Sequence, residues 1–276
     1  MSRARITGAV KVGGIVGNPV AHSLSPVIHN AWIEAAGMDA SYVAFSPRDP
    51  AGFEILVAAG RAGLLSGVNV TAPFKEQAFA LADEASDTAR HSGSANILIF
   101  RDGDVRADSA DGLGLLRALQ QQAPELSLAG SSVVMLGAGG AARAAAATLA
   151  GAGAQVRIVN RTRDRAEALA ADLGGSVTVA EGPAAFDGAA LVVNALSVRP
   201  EIDFAALDPA TTVMDMTYKP VVTPFLQAAR DAGLVTVDGL AMLIGQAGPS
   251  FEARFGVPAP DLDPRPVLLA HLGEAG

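Results

Sequence analysis

"SVVMLGAGGAARAAAATLAGAGAQVRIVNRTRDRAEALA", residues 132–170, reads as a strand, a glycine turn, an Ala-rich helix, a second strand and the start of a second helix. The apolar, β-branched run to Leu136 has the length of a buried strand, and the segment after the turn has the composition of a helix. Between them lies Gly137-Ala138-Gly139-Gly140-Ala141-Ala142. Glycine at 137 permits a tight turn, glycine at 139 lets an anion approach the backbone, and a small residue at 142 lets helix and strand pack closely. A pyrophosphate there would meet free N–H groups and the positive end of the helix dipole. Gly137, Ala138, Gly139, Gly140 and Ala141 are therefore the candidate phosphate cradle. The plain alternative is a βα turn that binds nothing. Against it stands the agreement of strand, turn, helix and next strand at the spacing of a dinucleotide-binding unit.

The second strand of this stretch ends in "VNRTRDR", residues 159–165. A site for NAD should carry Asp or Glu there to bind the ribose 2′-hydroxyl. Asn160 and Arg161 stand in its place, with Thr162 and Arg165 close by. A guanidinium pairs bidentately with a 2′-phosphate, which a carboxylate would repel. The expected cofactor is NADP. Solvated arginines at a helix start are the rival reading, although the dipole disfavours cations at that end.

The same alternation of short strands and Ala/Leu-rich helices runs outward in both directions. "QVRIVN", "SVTVA", "ALVVNA", "TVMDMT" and "LVTVD" continue the series to residue 238, and "VGGIVG", "ASYVAF", "SGVNVT" and "SANILIF" form an earlier one. Such alternation predicts an α/β protein of two domains with mainly parallel sheets. The polar, turn-rich stretch "RDGDVRADSA", residues 101–110, marks the break. We expect a substrate domain over 1–110, completed by the C-terminal helices of 241–276, and a doubly wound Rossmann domain over 111–240. "PFKEQAFALADEA" reads as one helix.

Composition narrows the function. The formal net charge is −8 and the pI about 5.0, which lacks the basic surplus of a nucleic-acid binder. There are no cysteines, so disulfides, zinc–thiolate sites and a cysteine nucleophile are excluded. The four histidines, His22, His29, His91 and His271, lack metal-ligand spacing, and no metal is expected. Half the residues are hydrophobic and mean hydropathy is +0.33, yet no window reads as a membrane span. The N-terminus shows no export-type cleavage signal, so a cytoplasmic location is expected.

Polar residues in apolar surroundings mark a second site. In "GNPVAHSLSPVIHN", residues 17–30, Ser23 and Ser25 would point the same way from an extended segment. Ser25-Pro26 equally reads as a helix N-cap followed by proline. In "GVNVTAPFKE", residues 67–76, Asn69 and Thr71 alternate with core-facing Val68 and Val70. Lys75 falls just inside the next helix, where the dipole disfavours it. A solvated lysine and a functional one both remain open on local grounds.

"GNPVAHSLSP", "NVTAPFKE", "ADSADG", "GAGGAAR", "NRTRDRA", "DMTY" and "DGLAMLIGQA" stand in the order and near the spacing of the shikimate dehydrogenase family, which the chain resembles over residues 12–256. The resemblance implies a cytoplasmic enzyme of chorismate and aromatic amino acid biosynthesis that reduces 3-dehydroshikimate to shikimate with NADPH. It implies a cleft between a substrate domain and a Rossmann domain. Lys75 and Asp111 would be the catalytic pair. Ser23, Ser25, Asn69, Thr71, Asn96, Tyr218 and Gln246 would bind substrate, and Met216 and Gly239 would lie near the nicotinamide. Departures from the pattern are Ile97, Ala110 and Leu196, each where threonine is usual. Rival readings are a quinate or aminoshikimate dehydrogenase, and an NADP-binding sensor without catalysis. Ser25 leans towards shikimate, because quinate-preferring relatives often carry threonine there. Partners are the small-molecule substrate alone, with neither nucleic acid nor membrane, in a monomer or homodimer.

Overall fold

The computed structural model describes residues 6–196 and 198–274. The first five residues of the N-terminus lie outside them. The chain forms two compact units: residues up to Ala110 together with those from Gln246 onward, and Asp111–Gly245.

The first unit contains β1 (Lys11–Val16), α1 (Ser25–Ala35), β2 (Ala40–Phe45), α2 (Pro50–Arg61), β3 (Gly67–Val70), α3 (Lys75–Ala80), β4 (Glu84–Ala85), α4 (Asp87–Ser92), β5 (Ile97–Arg101) and β6 (Asp104–Asp108). Its sheet runs β2-β1-β3-β5-β6-β4. β1 is parallel to β2 and β3, and β4 to β6, whereas β5 is antiparallel to both neighbours. The sheet is thus mixed. β6, the second strand of its antiparallel β5–β6 hairpin, occupies the stretch that reads in sequence as a polar break. Asp102 and Gly103 turn the hairpin with φ of +53° and +88°, the geometry of a two-residue primed turn. Buried Val105 and Ala107 alternate with exposed Asp104 and Arg106, so the strand's period of two is hidden by its charges. α3 also stops earlier than the pattern suggests, because Glu84 and Ala85 pair with β6. Val16, Phe53, Val68, Phe74 and Leu98 centre the core of this unit.

The second unit contains α5 (Asp111–Gln122), β7 (Ser132–Leu136), α6 (Gly140–Gly151), β8 (Gln155–Val159), α7 (Arg163–Leu173), β9 (Val177–Val179), β10 (Ala189–Asn194), β11 (Thr212–Asp215), α8 (Pro224–Asp231) and β12 (Val235–Val237). All pairings are parallel, in the order β12-β11-β10-β7-β8-β9. This is the doubly wound arrangement, with its reversal between β7 and β10. Val133 and Met135 face one core while Val134 and Leu136 face another. Both faces of β7 are covered, which is why the strand reads as an unbroken apolar run rather than an alternating one. α9 (Gly239–Phe255) counts with the second unit as far as Gly245 and with the first from Gln246, as does α10 (Arg265–Leu272). Among the described residues, no helix is long and apolar enough to cross a membrane.

Candidate functional site

Gly137 leaves β7 with φ +113°, a backbone state that side chains disfavour. Gly139 then enters α6 in an extended conformation, with nothing within 4 Å of where a Cβ would stand. That leaves room for a ligand against the first turn of α6, which no side chain caps. Ala142, 1% exposed, seats the helix on the sheet. A pocket of about 1030 Å³ opens at the carboxyl ends of the strands, where the strand order reverses and ligands bind such sheets. Gly137, Ala138, Gly139, Asn160, Arg161, Thr162 and Arg165 all border it. Gly140 and Ala141 do not border it; they supply the backbone of the first turn of α6.

The turn after β8 is shaped by Asn160, whose Nδ2 donates to Thr162 O at 2.8 Å. Arg163 is held by Glu167 at 2.6 Å and Glu181 at 2.9 Å. Arg161 and Arg165 are exposed, and among the described residues their side chains have no ion-pair or hydrogen-bond partner. Two unpaired guanidiniums beside an open glycine turn fit a dinucleotide that carries an added phosphate. NADP suits the residues present.

A buried network that sequence reading missed supports the next two loops. Asn194 Nδ2 donates to Asp215 Oδ1 at 3.1 Å, and Asp215 also accepts from Thr223 Oγ1 at 2.6 Å and Thr217 N at 3.0 Å. Burial pushes the Asp215 carboxyl up, against the pull of these donors. Leu196 N donates to Asn194 Oδ1 at 3.1 Å, and Leu196 lines the pocket beside Gly137. The signal was available: "LVVN" and "TVMD" are apolar strands that each end on a polar residue, and Asn194 and Asp215 stand opposite in register. Beyond β11, Met216 and Tyr218 are partly buried. Gly239 lies against the backbone of Met216 and Thr217, since a Cβ there would stand 2.6 Å from the carbonyl oxygen of each.

In the first unit, the serine pair departs from expectation. The N-cap of α1 is Leu24, in a helical conformation and without a side-chain cap, so Ser25 is not the capping residue and the segment is not extended. Ser23 Oγ instead accepts from Ser25 N at 3.3 Å. Ser25 is buried and hydrogen-bonds to Tyr42, whose hydroxyl burial pushes up to about 12. Tyr42 in turn donates to Asn69 Oδ1 at 2.9 Å, which also accepts from Ser250 Oγ at 2.8 Å and Arg254 Nη2 at 2.9 Å. Asn69 Nδ2 donates to Asn96 O at 3.2 Å, and Asn96 Nδ2 to Gln246 Oε1 at 2.6 Å. Ser25, Asn69, Asn96 and Gln246, read from four separate motifs, thus share one buried network.

Tyr42, Ser250 and Arg254 were missed by sequence reading. Gln246, Ser250 and Arg254 recur every fourth residue and so mark one helix face, a signal legible in principle. Thr71 sits where Gly17 makes room: a Cβ on that glycine would fall 2.3 Å from Thr71 Cγ2. Lys75 is the first residue of α3, partly buried, and its carbonyl accepts from Ala95 N at 2.9 Å. Asp111 opens α5 in the second unit, where the dipole favours a carboxylate. Of the departures, Ile97 pairs with Asn69 across β5 and β3, and Ala110 N donates to Asn96 Oδ1 at 2.9 Å.

Fold and site together define a class: a doubly wound nucleotide-binding unit in one chain with a mixed α/β unit that carries a buried polar network. A shikimate dehydrogenase substrate-binding-domain model matches residues 15–98, and a shikimate/quinate 5-dehydrogenase model matches residues 118–241. A shikimate dehydrogenase (NADP(+)) of Caulobacter vibrioides is 50% identical, the match covering 98% of each chain. Shikimate dehydrogenase from Aquifex aeolicus superposes with a TM-score of 0.86 at 34% identity, covering 93% of this chain and 96% of the other. Shikimate 5-dehydrogenase from Thermus thermophilus, solved with NADP(H) and shikimate, gives 0.82 at 33% identity over 92% and 96%. The chain belongs to the shikimate dehydrogenase family.

Proposed function

We propose that the protein is an NADP-dependent shikimate dehydrogenase that reversibly reduces 3-dehydroshikimate to shikimate, in the cytoplasm, as a monomer or homodimer. One observation carries the reading beyond family membership. Ser25, Asn69, Asn96 and Gln246 converge in a single hydrogen-bonded network, which suits a small polyol better than a flat apolar ligand. Ser23 and Ser25, with Thr71 and Tyr218, are assigned to the substrate carboxylate. Asn69, Asn96, Asp111 and Gln246 are assigned to its ring hydroxyls.

The cofactor, when bound, supplies the hydride. Gly137, Ala138, Gly139, Gly140 and Ala141 would hold its phosphates, Asn160, Arg161, Thr162 and Arg165 its 2′-phosphate, with Met216 and Gly239 near the nicotinamide. As the carbonyl carbon is reduced, its oxygen gains negative charge and requires a proton. That donor role falls to Lys75, whose ammonium also stabilises the developing charge. Asp111 is its carboxylate counterpart. Steady-state rates with shikimate and quinate, each against NADP and NAD, test the reading. Shikimate with NADP should give the highest kcat/KM. Faster turnover of quinate would replace the substrate, and no nicotinamide absorbance change with any such polyol would overturn the enzymatic reading.

A further inference from the structure

Arg254 lies on α9, 6% exposed, in the first unit. Its guanidinium stands over the Tyr42 ring at 4.8 Å. Nη2 donates to Asn69 Oδ1, while Nε and Nη1 find no acceptor. Among the described residues no carboxylate pairs with it. A buried cation without a counter-charge works against folding, so such a group calls for a return elsewhere. Its side-chain partners are Asn69 and the Tyr42 hydroxyl, which itself donates to Asn69, so both lead to the Asn69 carboxamide.

The four partners of Asn69 differ in what they tell its carboxamide. The hydroxyls of Tyr42 and Ser250 can donate or accept, so neither distinguishes the oxygen end from the nitrogen end. Arg254 can only donate and the Asn96 carbonyl can only accept. Those two fix the orientation, with Oδ1 towards the arginine and Nδ2 towards Asn96. The second N–H of Nδ2 then remains for a ligand, and a cation bonded at the amide oxygen strengthens that N–H as a donor.

We propose that Arg254 is a positioning residue for substrate: acting through Asn69, it holds the carboxamide so that an N–H meets a hydroxyl oxygen of the cyclic polyol. This rests on the assignment of Asn69 to the substrate ring.

Arg254→Met, which removes charge and donor at similar length, should fold with an unchanged or higher thermal midpoint. Its KM for shikimate should rise about tenfold, the worth of one charge-assisted hydrogen bond. KM for NADP and kcat should stay within about twofold of wild type, since a bond to the bound substrate's ring changes little in the hydride step. Arg254→Lys, which keeps charge and a donor, should recover most of the loss. A folded Arg254→Met with unchanged KM for shikimate overturns the proposal, as does a lower midpoint with both KM values unaltered, which would mark plain packing. If Arg254→Met fails to fold, Arg254→Gln takes its place, because an amide that both donates and accepts no longer tells oxygen from nitrogen. The same rise in KM is then expected, and its absence overturns the claim. A ligand-free NMR measurement separates this idea from the enzymatic reading. The Asn69 side-chain amide resonances, assigned with Asn69→Asp, should move in the Arg254 variant. Unmoved resonances refute the positioning role even if the wild type turns over no shikimate, and shifted ones uphold it in that case.

Discussion

Lys75 begins α3, the end of a helix where the dipole disfavours an ammonium. On the proposed function, Lys75→Ala should lower kcat by about 10²–10⁴-fold, the usual worth of general acid–base help. NADP binding, followed by titration calorimetry, should persist. Near-normal turnover would remove Lys75 from the chemistry. Arg161 and Arg165 border the pocket with side chains that have no partner among the described residues, so Arg161→Ala with Arg165→Ala should raise KM for NADP by about 10–100-fold, as expected for lost charge-assisted bonds. KM for NAD should barely change; an equal rise for both cofactors would rule out a 2′-phosphate site. Asp215 gives a pH signature. Its folded-state pKa is raised, chiefly by burial, so the folded protein binds the proton more tightly than the unfolded chain. The stability this group contributes is whole in acid and is lost as pH rises from about 4, the unfolded aspartate value, through the folded pKa. Measured by denaturant unfolding, wild type should therefore lose stability relative to Asp215→Asn over that window. A wild type that gains stability relative to Asp215→Asn as pH rises would contradict the assignment.

At the scale of elements, the strand–turn–helix beginning at Ser132 was legible because its chemistry is local. A tight glycine turn and an alanine-faced helix announce themselves within a dozen residues. Gly239 belongs to the same scale but shows nothing in sequence, because the backbone it must clear is the loop after β11. Gly239→Ala would press a methyl to 2.6 Å from Met216 O and Thr217 O. It should lower stability by about 1–3 kcal/mol through overpacking, read as a fall in thermal midpoint; an unchanged midpoint would show that the loop yields freely. The second strand of the β5–β6 hairpin escaped sequence reading for a different reason: charged residues on its solvent face imitate a loop. Asp102-Gly103 was the one local sign of it.

At the scale of the whole molecule, each unit owns a sheet and a core, and α9 is counted with both. The single tryptophan, Trp32, is buried in the first unit and donates from Nε1 to Leu262 O at 3.0 Å. It packs edge-on against Phe251 of α9, with ring centroids 5.7 Å apart. A chain cut after Gly245 should thus show red-shifted tryptophan emission while it still binds NADP through the glycine turn. Emission unchanged from the full chain would mean that the last thirty or so residues, about four turns of helix per fifteen residues where helical, are dispensable to the first core.

What the sequence determined by itself was the α/β class, the doubly wound unit and the glycine turn that opens its first helix. Those follow from periodicity and glycine placement, both of them short-range. What only the tertiary structure decided was the company each polar side chain keeps. Asn69 meets Arg254 across 185 residues and Asn96 meets Gln246 across 150, and the serine pair proved to be held by a turn rather than displayed on a strand. A hydrogen bond depends on distance in space, and separation along the chain carries no record of it.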